Sequence, residues 1–209
     1  MRLEKASRKA IVYACMNFHY SKRIPTSSNI SYSVFNDKNE WCGVIMYGYP
    51  NSPNIVPEFS LQNGKVLELR RVALNSKQEI TSKALAISMK LIKKDCPTVK
   101  LLVSYSDKGQ NHYGIIYQAT NWYFINESES SGYEFLINGK WVHSRHGKGE
   151  IKRKLAGKRK YIYPLDKNLL SMCKKLAKPY PKIISDNSIT ANASVFHTEE
   201  GGQHYLIAQ

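Results

Sequence analysis

The stretch Leu101–Trp122, LLVSYSDKGQNHYGIIYQATNW, decides how the chain folds. It begins with three apolar residues, passes into a polar end and breaks at the sequence DKGQN. After the break, aromatic and aliphatic residues recur at the spacing of one helix face. The pattern therefore predicts a strand, a polar turn and a helix. Ligands of such layered folds bind beyond the carboxyl end of the strand, so Asp107, His112 and Tyr117 are expected to line a crevice.

The segments before this stretch predict a βαβ unit. The strand Val66–Leu74 is followed by the polar loop Asn75–Ile80 and by the helix Thr81–Lys94, which ends before Pro97. A crossover of this kind between parallel strands is right-handed. The start of the helix, at Ser82 and Lys83, offers backbone N–H groups to a phosphate.

Three charged residues interrupt the strand Val66–Leu74. Strict alternation sends Glu68 and Arg70 to one face and Arg71 to the other. Charges inside a strand are costly unless they are paired or face a ligand. Two interpretations stay open: an ion pair between Glu68 and an arginine, or contact with a substrate.

Hydrophobic periodicity predicts the remaining elements, and the whole pattern indicates an α+β fold with a mixed central sheet flanked by helices. In chain order they are a helix at residues 3–18, a hairpin of strands Ile30–Phe35 and Trp41–Tyr49, strands Trp122–Ile125 and Tyr133–Ile137, a tight turn at Asn138-Gly139, and a short helix Lys167–Ala177.

Composition limits the classes of function. The 209 residues suit one domain, predicted at 1–183, followed by a polar tail at 184–209 that is expected to be disordered. No apolar run is long enough for a membrane span, and the N-terminus lacks the apolar core of a secretory signal. The four separated cysteines form no CxxC pair, which fits small buried residues in a reduced cytoplasmic compartment.

The formal net charge of +15 predicts a polyanionic partner. Solubility is the alternative explanation, although it requires far less charge. From Lys140 to Lys160 there are nine Lys or Arg residues against one acid, with Trp141 near the start and Tyr161 just beyond. Cations interleaved with aromatic residues favour nucleic acid, and a solvated flexible loop is the other interpretation.

Several blocks, in order and with natural spacing over about residues 11–145, resemble the phage Mom proteins. The blocks are His19-Tyr20-Ser21-Lys22 with Pro25, Leu67-Glu68-Leu69-x-Arg71, Ser82, Ser104-Tyr-Ser-Asp107, and His112-x-Gly-x-Ile-Tyr117-x-Ala-x-Asn-Trp122. On spacing alone, the loop at His19 to Pro25 is simply a polar connection.

The resemblance implies an enzyme with a GNAT-like acyltransferase fold, encoded by a phage or prophage and acting in the bacterial cytoplasm. Such enzymes convert adenine in DNA, at N6, to a carbamoylmethyl-type derivative that protects the DNA from restriction. Acyl-CoA is the cofactor that the fold implies, with Arg71, Ser82 and Lys83 as its binding residues. The loop Asn75–Ile80 lacks the glycine-rich motif of ordinary acetyltransferases.

The same resemblance implies a catalytic set of Asp107, His19, Tyr20 and Tyr117. Asp107 is the expected general base or amine-orienting group, and His19 shares that role. The tyrosines donate hydrogen bonds or stack on an adenine flipped out of double-stranded DNA. These four residues are also possible iron ligands, although no ligand spacing demands a metal.

Eight cations are expected to hold the DNA backbone: Lys22, Arg23, Arg145, Lys152, Arg153, Lys154, Lys158 and Arg159. Two other functions compete with DNA modification. One is an ordinary GNAT-type N-acetyltransferase acting on an amine or a protein, and the other is a non-catalytic basic DNA-binding protein. Plain methylation is disfavoured because the chain has no D/N-P-P-Y/F motif.

Overall fold

A computed structural model describes residues 1–25, 30–52, 54–110, 112–129, 132–144 and 147–182. Arg145 and the predicted tail at 184–209 lie outside the described residues. The strands are β1 (Arg2–Lys5), β2 (Ile30–Phe35), β3 (Trp41–Gly48), β4 (Val66–Leu74), β5 (Leu101–Asp107), β6 (Tyr123–Ser128), β7 (Tyr133–Ile137), β8 (Lys140–His143), β9 (Lys152–Lys154) and β10 (Lys158–Pro164). The helices are α1 (Arg8–Asn17), α2 (Ile55–Glu58), α3 (Thr81–Asp95), α4 (Ile115–Gln118) and α5 (Leu170–Leu176).

Seven strands form a mixed sheet in the order β1-β2-β3-β4-β5-β10-β6. Strands β4 and β5 pair in parallel, joined by α3, and the other neighbours are antiparallel. The predicted α+β class, the first hairpin and the βαβ unit are thereby confirmed. Three further strands form a separate small sheet in the order β8-β7-β9.

Helices cover both faces of the large sheet. Consecutive strand residues point to opposite faces, so both faces carry apolar side chains that the helices bury. On one face, Leu102 packs with Leu85 and Ile92 of α3. On the other face, Leu101 and Val103 pack with residues of α2 and α5, while a separate cluster joins Val44 and Met46 to α1.

The N-terminal prediction of one helix at residues 3–18 is wrong at its start. Residues Arg2–Lys5 form an edge strand in which Leu3 lies opposite Val34. The helix begins only after Ser7, whose hydroxyl accepts a hydrogen bond from the backbone N–H of Ala10 at 3.2 Å. This serine is an N-cap, so it separates two elements that the apolar spacing had merged.

The helix predicted after His112 is shorter than expected. It covers only Ile115–Gln118. Gly114 before it has a φ of 73° and Asn121 after it has a φ of 60°. Both residues adopt the left-handed conformation, which interrupts a helix. The helix is therefore confined to one turn, although the apolar spacing continues beyond it.

The basic segment at 140–160 contains ordered strands. Strand β10 begins inside it and lies between β5 and β6, in the interior of the large sheet. Its central residues Tyr161 and Ile162 are fully buried. The solvated-loop interpretation therefore fails for this part of the segment, since a strand paired on both sides needs buried residues on both faces.

Strands β4 and β5 separate after a short paired region. Their pairing covers Val66 to Glu68 and Leu101 to Val103, yet β4 continues to Leu74 and β5 to Asp107. The two strands therefore diverge toward their carboxyl ends.

A bulge in β4 lies at this divergence. Met46 and Tyr47 of β3 lie opposite Arg71 and Leu69, so Arg70 is an extra residue. A bulge shifts the alternation of side chains, and Leu69 and Val72 accordingly pack in one and the same core cluster. The prediction that Arg70 and Arg71 lie on opposite faces is therefore wrong.

Gly43 is the residue where β3 and β4 approach most closely. Its φ is +128°, and a Cβ there would overlap the carbonyl oxygen of Ala73. We expect Gly43→Ala to destabilise the fold by at least about 3 kcal/mol, because strain and overlap add in a paired strand. Gly64→Ala is the matched control, since Gly64 also has positive φ but no heavy atom near that Cβ. Urea unfolding of both variants measures the difference, and equal losses would contradict the overlap.

Candidate active site

A cleft of about 540 Å³ opens where β4 and β5 diverge. Its polar side carries Glu68, Arg70 and Arg71 from β4, Tyr105 and Asp107 from β5, and His19 and Tyr20 from the loop after α1. Its apolar side carries Leu69, Val72, Ile115 and Ile116. The predicted crevice beyond the end of β5 is thus present, and it is lined from both faces of the sheet.

Asp107 and Tyr20 form the centre of the polar side. One oxygen of the Asp107 carboxylate, Oδ1, accepts a hydrogen bond from the backbone N–H of Gly109 at 2.9 Å. The Tyr20 phenol lies close to this carboxylate. Burial, followed by the negative charge of Asp107, raises the pKa of Tyr20. Tyr20 is therefore protonated at neutral pH and lies against the carboxylate.

The two histidines flank Tyr20. The ring centre of Tyr20 lies 4.4 Å from that of His19 and 5.7 Å from that of His112. Burial lowers the pKa of His112, and the charge of Asp107 opposes this shift. His112 therefore lies beside Asp107 as a supporting aromatic residue.

His19 is uncharged at neutral pH. Burial, assisted by the positive charge of Arg71, lowers its pKa to about 3. The backbone N–H of Ser21 donates to Nδ1 at 3.1 Å. Because a backbone amide only donates, Nδ1 is the acceptor and the ring proton of neutral His19 lies on Nε2. This geometry makes His19 a hydrogen-bond donor through Nε2, and a base with so low a pKa is a weak one.

Tyr117 occupies the opposite wall of the cleft. It is 7% exposed, and its hydroxyl oxygen accepts a hydrogen bond from Ser104 at 2.9 Å. Its ring stacks on Tyr161 at a centroid distance of 4.6 Å. The sequence analysis had grouped Tyr161 with the basic segment as an aromatic residue for nucleic-acid contact, and this prediction is wrong because Tyr161 is fully buried on β10. The closest signal of its position was Gly114: a Cβ there would overlap the Tyr161 ring.

Glu68 and Arg70 form a pair at the cleft. The distance between Arg70 Nη1 and Glu68 Oε1 is 3.7 Å, and both side chains are largely buried. Glu68 also accepts a hydrogen bond from the backbone N–H of Asn51 at 3.0 Å. The ion-pair interpretation is therefore confirmed, and both residues line the cleft as well.

The three predicted cofactor residues do not come together. Arg71 lines the cleft, whereas Ser82 and Lys83 are not among its lining residues. They lie in the first turn of α3, whose N-cap residue Ile80 has no side chain that can accept a hydrogen bond. The bulge at Arg70 explains the separation, because it turns Arg71 toward His19.

The predicted iron site does not fit these residues. Within the described ranges, no group of three or more His, Cys, Asp or Glu residues is placed to hold a metal ion. Tyr117 lies on the wall opposite Tyr20, and the positive charge of Arg71 acts on His19. A cation next to a ligand set disfavours a further cation.

The predicted nucleic-acid residues divide into two groups. Lys158 is exposed, lines the cleft and lies opposite Asp107 in the pairing of β10 with β5. Lys22 and Arg23 are exposed in the loop after α1, and Lys152, Arg153 and Lys154 are exposed on β9.

Arg159 belongs to the second group. It is 9% exposed, and its guanidinium donates to Glu127 at 2.6 Å and to the carbonyl of His112 at 3.0 Å. Its charge is therefore already used inside the protein. We leave Arg159 out of the DNA surface for that reason.

The order of the strands and the cleft between the diverging parallel strands are those of a GNAT-like fold. The fold superposes on Arabidopsis thaliana NAA60 in complex with a bisubstrate analogue with a TM-score of 0.50 and 10% identity, covering 78% of this chain and 97% of that one. A Bacillus subtilis acetyltransferase in complex with CoA gives a TM-score of 0.49 and 10% identity, covering 78% of this chain and 97% of that one. These identities support the fold alone.

The chain belongs to the Mom protein family, whose family model matches residues 1–182. It is 33% identical over 129 residues to the methylcarbamoylase Mom of Escherichia phage Mu. That match covers 60% of this chain and 52% of the relative, so the chain spans about half of the relative's length. Among the described residues, no helix has the length and apolar character needed to cross a membrane.

The low pKa of His19 predicts acid-sensitive stability. Below about pH 6.5 the unfolded chain binds a proton on this histidine, which the folded protein binds only near pH 3. Stability is therefore lost as the pH falls through this window. His19→Asn keeps an acceptor for the backbone N–H of Ser21 and removes the titrating group. We therefore expect this variant to lose roughly 1–2 kcal/mol less unfolding free energy than the wild type between pH 7 and pH 5.

Urea unfolding at both pH values measures this effect. An unchanged pH dependence in His19→Asn would contradict the buried neutral state of His19.

Proposed function

We propose that the protein modifies adenine in DNA at N6, adding a carbamoylmethyl-type group that protects the DNA from restriction. The observation that carries the proposal is the family match over residues 1–182, on a chain whose cleft joins Asp107, Tyr20 and His19. The phage Mu relative is named as a methylcarbamoylase, that is, a transferase of a small carbamoyl-containing group.

The proposed substrate is double-stranded DNA with a flipped adenine. The N6 amine of a stacked base is out of reach of a protein side chain, so an enzyme acting on it turns the base into a pocket. A cleft of about 540 Å³ is within the usual size of small-ligand pockets. Lys158 is exposed and lines the cleft, so its positive charge would lie next to the DNA backbone.

Asp107 has the properties of the group that receives the N6 proton. The N6 lone pair is delocalised into the ring, so the amine must lose a proton as the new C–N bond forms. Tyr20 lies against the carboxylate, and the backbone N–H of Gly109 donates to it. His19, as a neutral Nε2 donor, would orient the base or the incoming group.

An acyl-CoA is the cofactor that the fold class suggests. The free N–H groups at the start of α3, with Ser82 and Lys83, would hold its phosphates, and the apolar side of the cleft at Val72, Ile115 and Ile116 would accept its pantetheine arm. When bound, it supplies an activated acyl group. A carbamoylmethyl group is attached through a CH₂, so its formation is an alkylation and needs an alkylating donor, whereas an acyl-CoA would form an amide at N6. The mass of the product distinguishes the carbamoylmethyl-type group from an acetyl group.

Replacing Asp107 tests the proposal directly. The protein is expressed with DNA, the DNA is digested to nucleosides, and the nucleosides are identified by mass. We expect deoxyadenosine carrying a carbamoylmethyl-type group from the wild type, and at least about 100-fold less from Asp107→Asn, because the general base is lost. Asp107→Asn still accepts the hydrogen bond from Gly109, so the turn stays folded.

The control is Asp95→Asn, at the C-terminus of α3 and outside the cleft, which keeps the acceptor for Tyr32. It should modify DNA like the wild type. Acetylated product from acetyl-CoA without DNA would favour an ordinary acetyltransferase instead. Full modification by Asp107→Asn would contradict the role of the carboxylate.

Substitutions of the neighbouring cations Lys158 and Arg159 distinguish contact with DNA from ion pairing inside the protein. Lys158→Ala should leave stability unchanged and lower the slope of log affinity against log salt by about one, as for one lost phosphate contact. Arg159→Ala should cost about 2 kcal/mol of stability, because it removes hydrogen bonds to Glu127 and to a buried carbonyl. Duplex binding at several salt concentrations, together with urea unfolding, measures both, and the reverse pattern would contradict the assignment.

A further inference from the structure

The small sheet of β7, β8 and β9 is an arm, here defined as residues 132–156. It is inserted between β6 and β10 of the large sheet. None of its described residues is buried: all are half-buried or exposed, including Phe135, Trp141 and Val142. Half-exposed aromatic and aliphatic side chains on a projecting element mark an interaction surface.

The base of the arm is joined to the catalytic edge. Lys158, just after the arm, lies opposite both Asp107 of β5 and Ser128 of β6. The backbone N–H of Lys108 donates to the carbonyl of Gly157 at 3.1 Å. A Cβ on Gly157 would overlap the carbonyl oxygen of Ser128, so the glycine permits the two ends of the arm to approach closely. The arm therefore leaves the sheet beside the cleft.

The two faces of the arm differ in charge. On one face Arg153 pairs with Glu134 at 2.8 Å and lies 4.2 Å from the ring centre of Trp141. This cation is therefore held by neighbours within the arm. On the other face Lys152 lies opposite Phe135 and Lys140 lies opposite Ile137. These lysines are exposed and lie among apolar side chains, a composition that suits phosphates and base edges.

The turn at the end of the arm is open. Strand β9 pairs with Tyr133 to Phe135, and residues 147–151 lie along β7 as far as Ile137. Beyond Ile137, Asn138 and Gly139 have φ values of 50° and 73°, the geometry of a tight hairpin turn. No heavy atom lies within 4 Å of a Cβ built on Gly139. The tip is therefore an open hairpin turn that presents an exposed amide and the cation Lys140.

We propose that this hairpin enters a groove of the DNA beside the flipped adenine and reads the flanking sequence. The major groove is about 12 Å wide and admits a two-stranded β-ribbon. Asn138 is the side chain at the tip that can bond to both polar edge atoms of an adenine, and Lys140 and Lys152 hold phosphates. This inference rests on the proposed function, and it assigns the choice of sequence to the arm rather than to the cleft.

The test uses the full chain and variants at the tip. Asn138→Gly deletes the amide and retains the positive φ, so the turn is preserved. Modified adenines in cellular DNA are mapped by sequence context. We expect the preference among flanking bases to fall by about 5- to 150-fold, the discrimination of one good base contact, while total modification persists. Lys140→Ala and Lys152→Ala should each lower the salt slope of duplex binding by about one.

The matched controls lie in the β2–β3 hairpin at the far side of the sheet. Asn39 also has positive φ, at 63°, and Lys38 precedes it. Asn39→Gly and Lys38→Ala should change neither the sequence context nor the salt slope. The groove contact is overturned if the arm variants behave like these controls. If the salt slopes fall as expected but the wild type leaves adenine unmodified, the groove contact stands and the proposed function fails.

Discussion

The active cleft depends on one break in backbone pairing: the parallel ladder between β4 and β5 stops after Glu68 and Val103. Had the ladder continued, the backbone would fill the space that the substrate needs. The bulge at Arg70 accompanies the break and turns the adjacent Arg71 toward His19. A local irregularity in one strand thus accompanies the cavity and positions the charge that, together with burial, keeps His19 neutral.

That charge organises the polar side of the cleft. Arg71 disfavours protonation of His19, while Asp107 favours the protonated phenol of Tyr20. At neutral pH, therefore, His19 donates hydrogen bonds through Nε2, whereas the Asp107 carboxylate accepts them. Pairs of groups whose surroundings separate their protonation states are typical of acid–base sites.

The sequence predicted the regular part of the fold well. The bounds of β4 and the N-terminal bound of α3 agree with the structure, because alternation over nine residues and helical spacing over fifteen are strong signals. The short edge strand Arg2–Lys5 was missed because its apolar spacing runs on into α1 without a break. The bulge at Arg70 was missed because an extra residue in a strand leaves no mark in a single sequence.

The site was predicted in part. Asp107, His19 and Tyr20 do meet, because the loop after α1 lies over the end of β5. The family resemblance grouped these three residues with Tyr117, and spacing alone did not. Arg159 was misjudged because its partner Glu127 is thirty-two residues away, on the neighbouring strand. Pairing between distant strands is a tertiary contact, and charge counting along the chain cannot separate such an internal cation from the exposed Lys158 beside it.

The position of β10 has a consequence for the order of folding. Because β10 lies between β5 and β6, the large sheet stays incomplete until the ribosome has made residues 158–164. Before that point, β6 has no neighbour in the sheet and the arm hangs from one end only. Contacts between residues far apart in sequence form slowly. During synthesis, therefore, the arm gains its second attachment and the cleft gains Lys158 in the same late step.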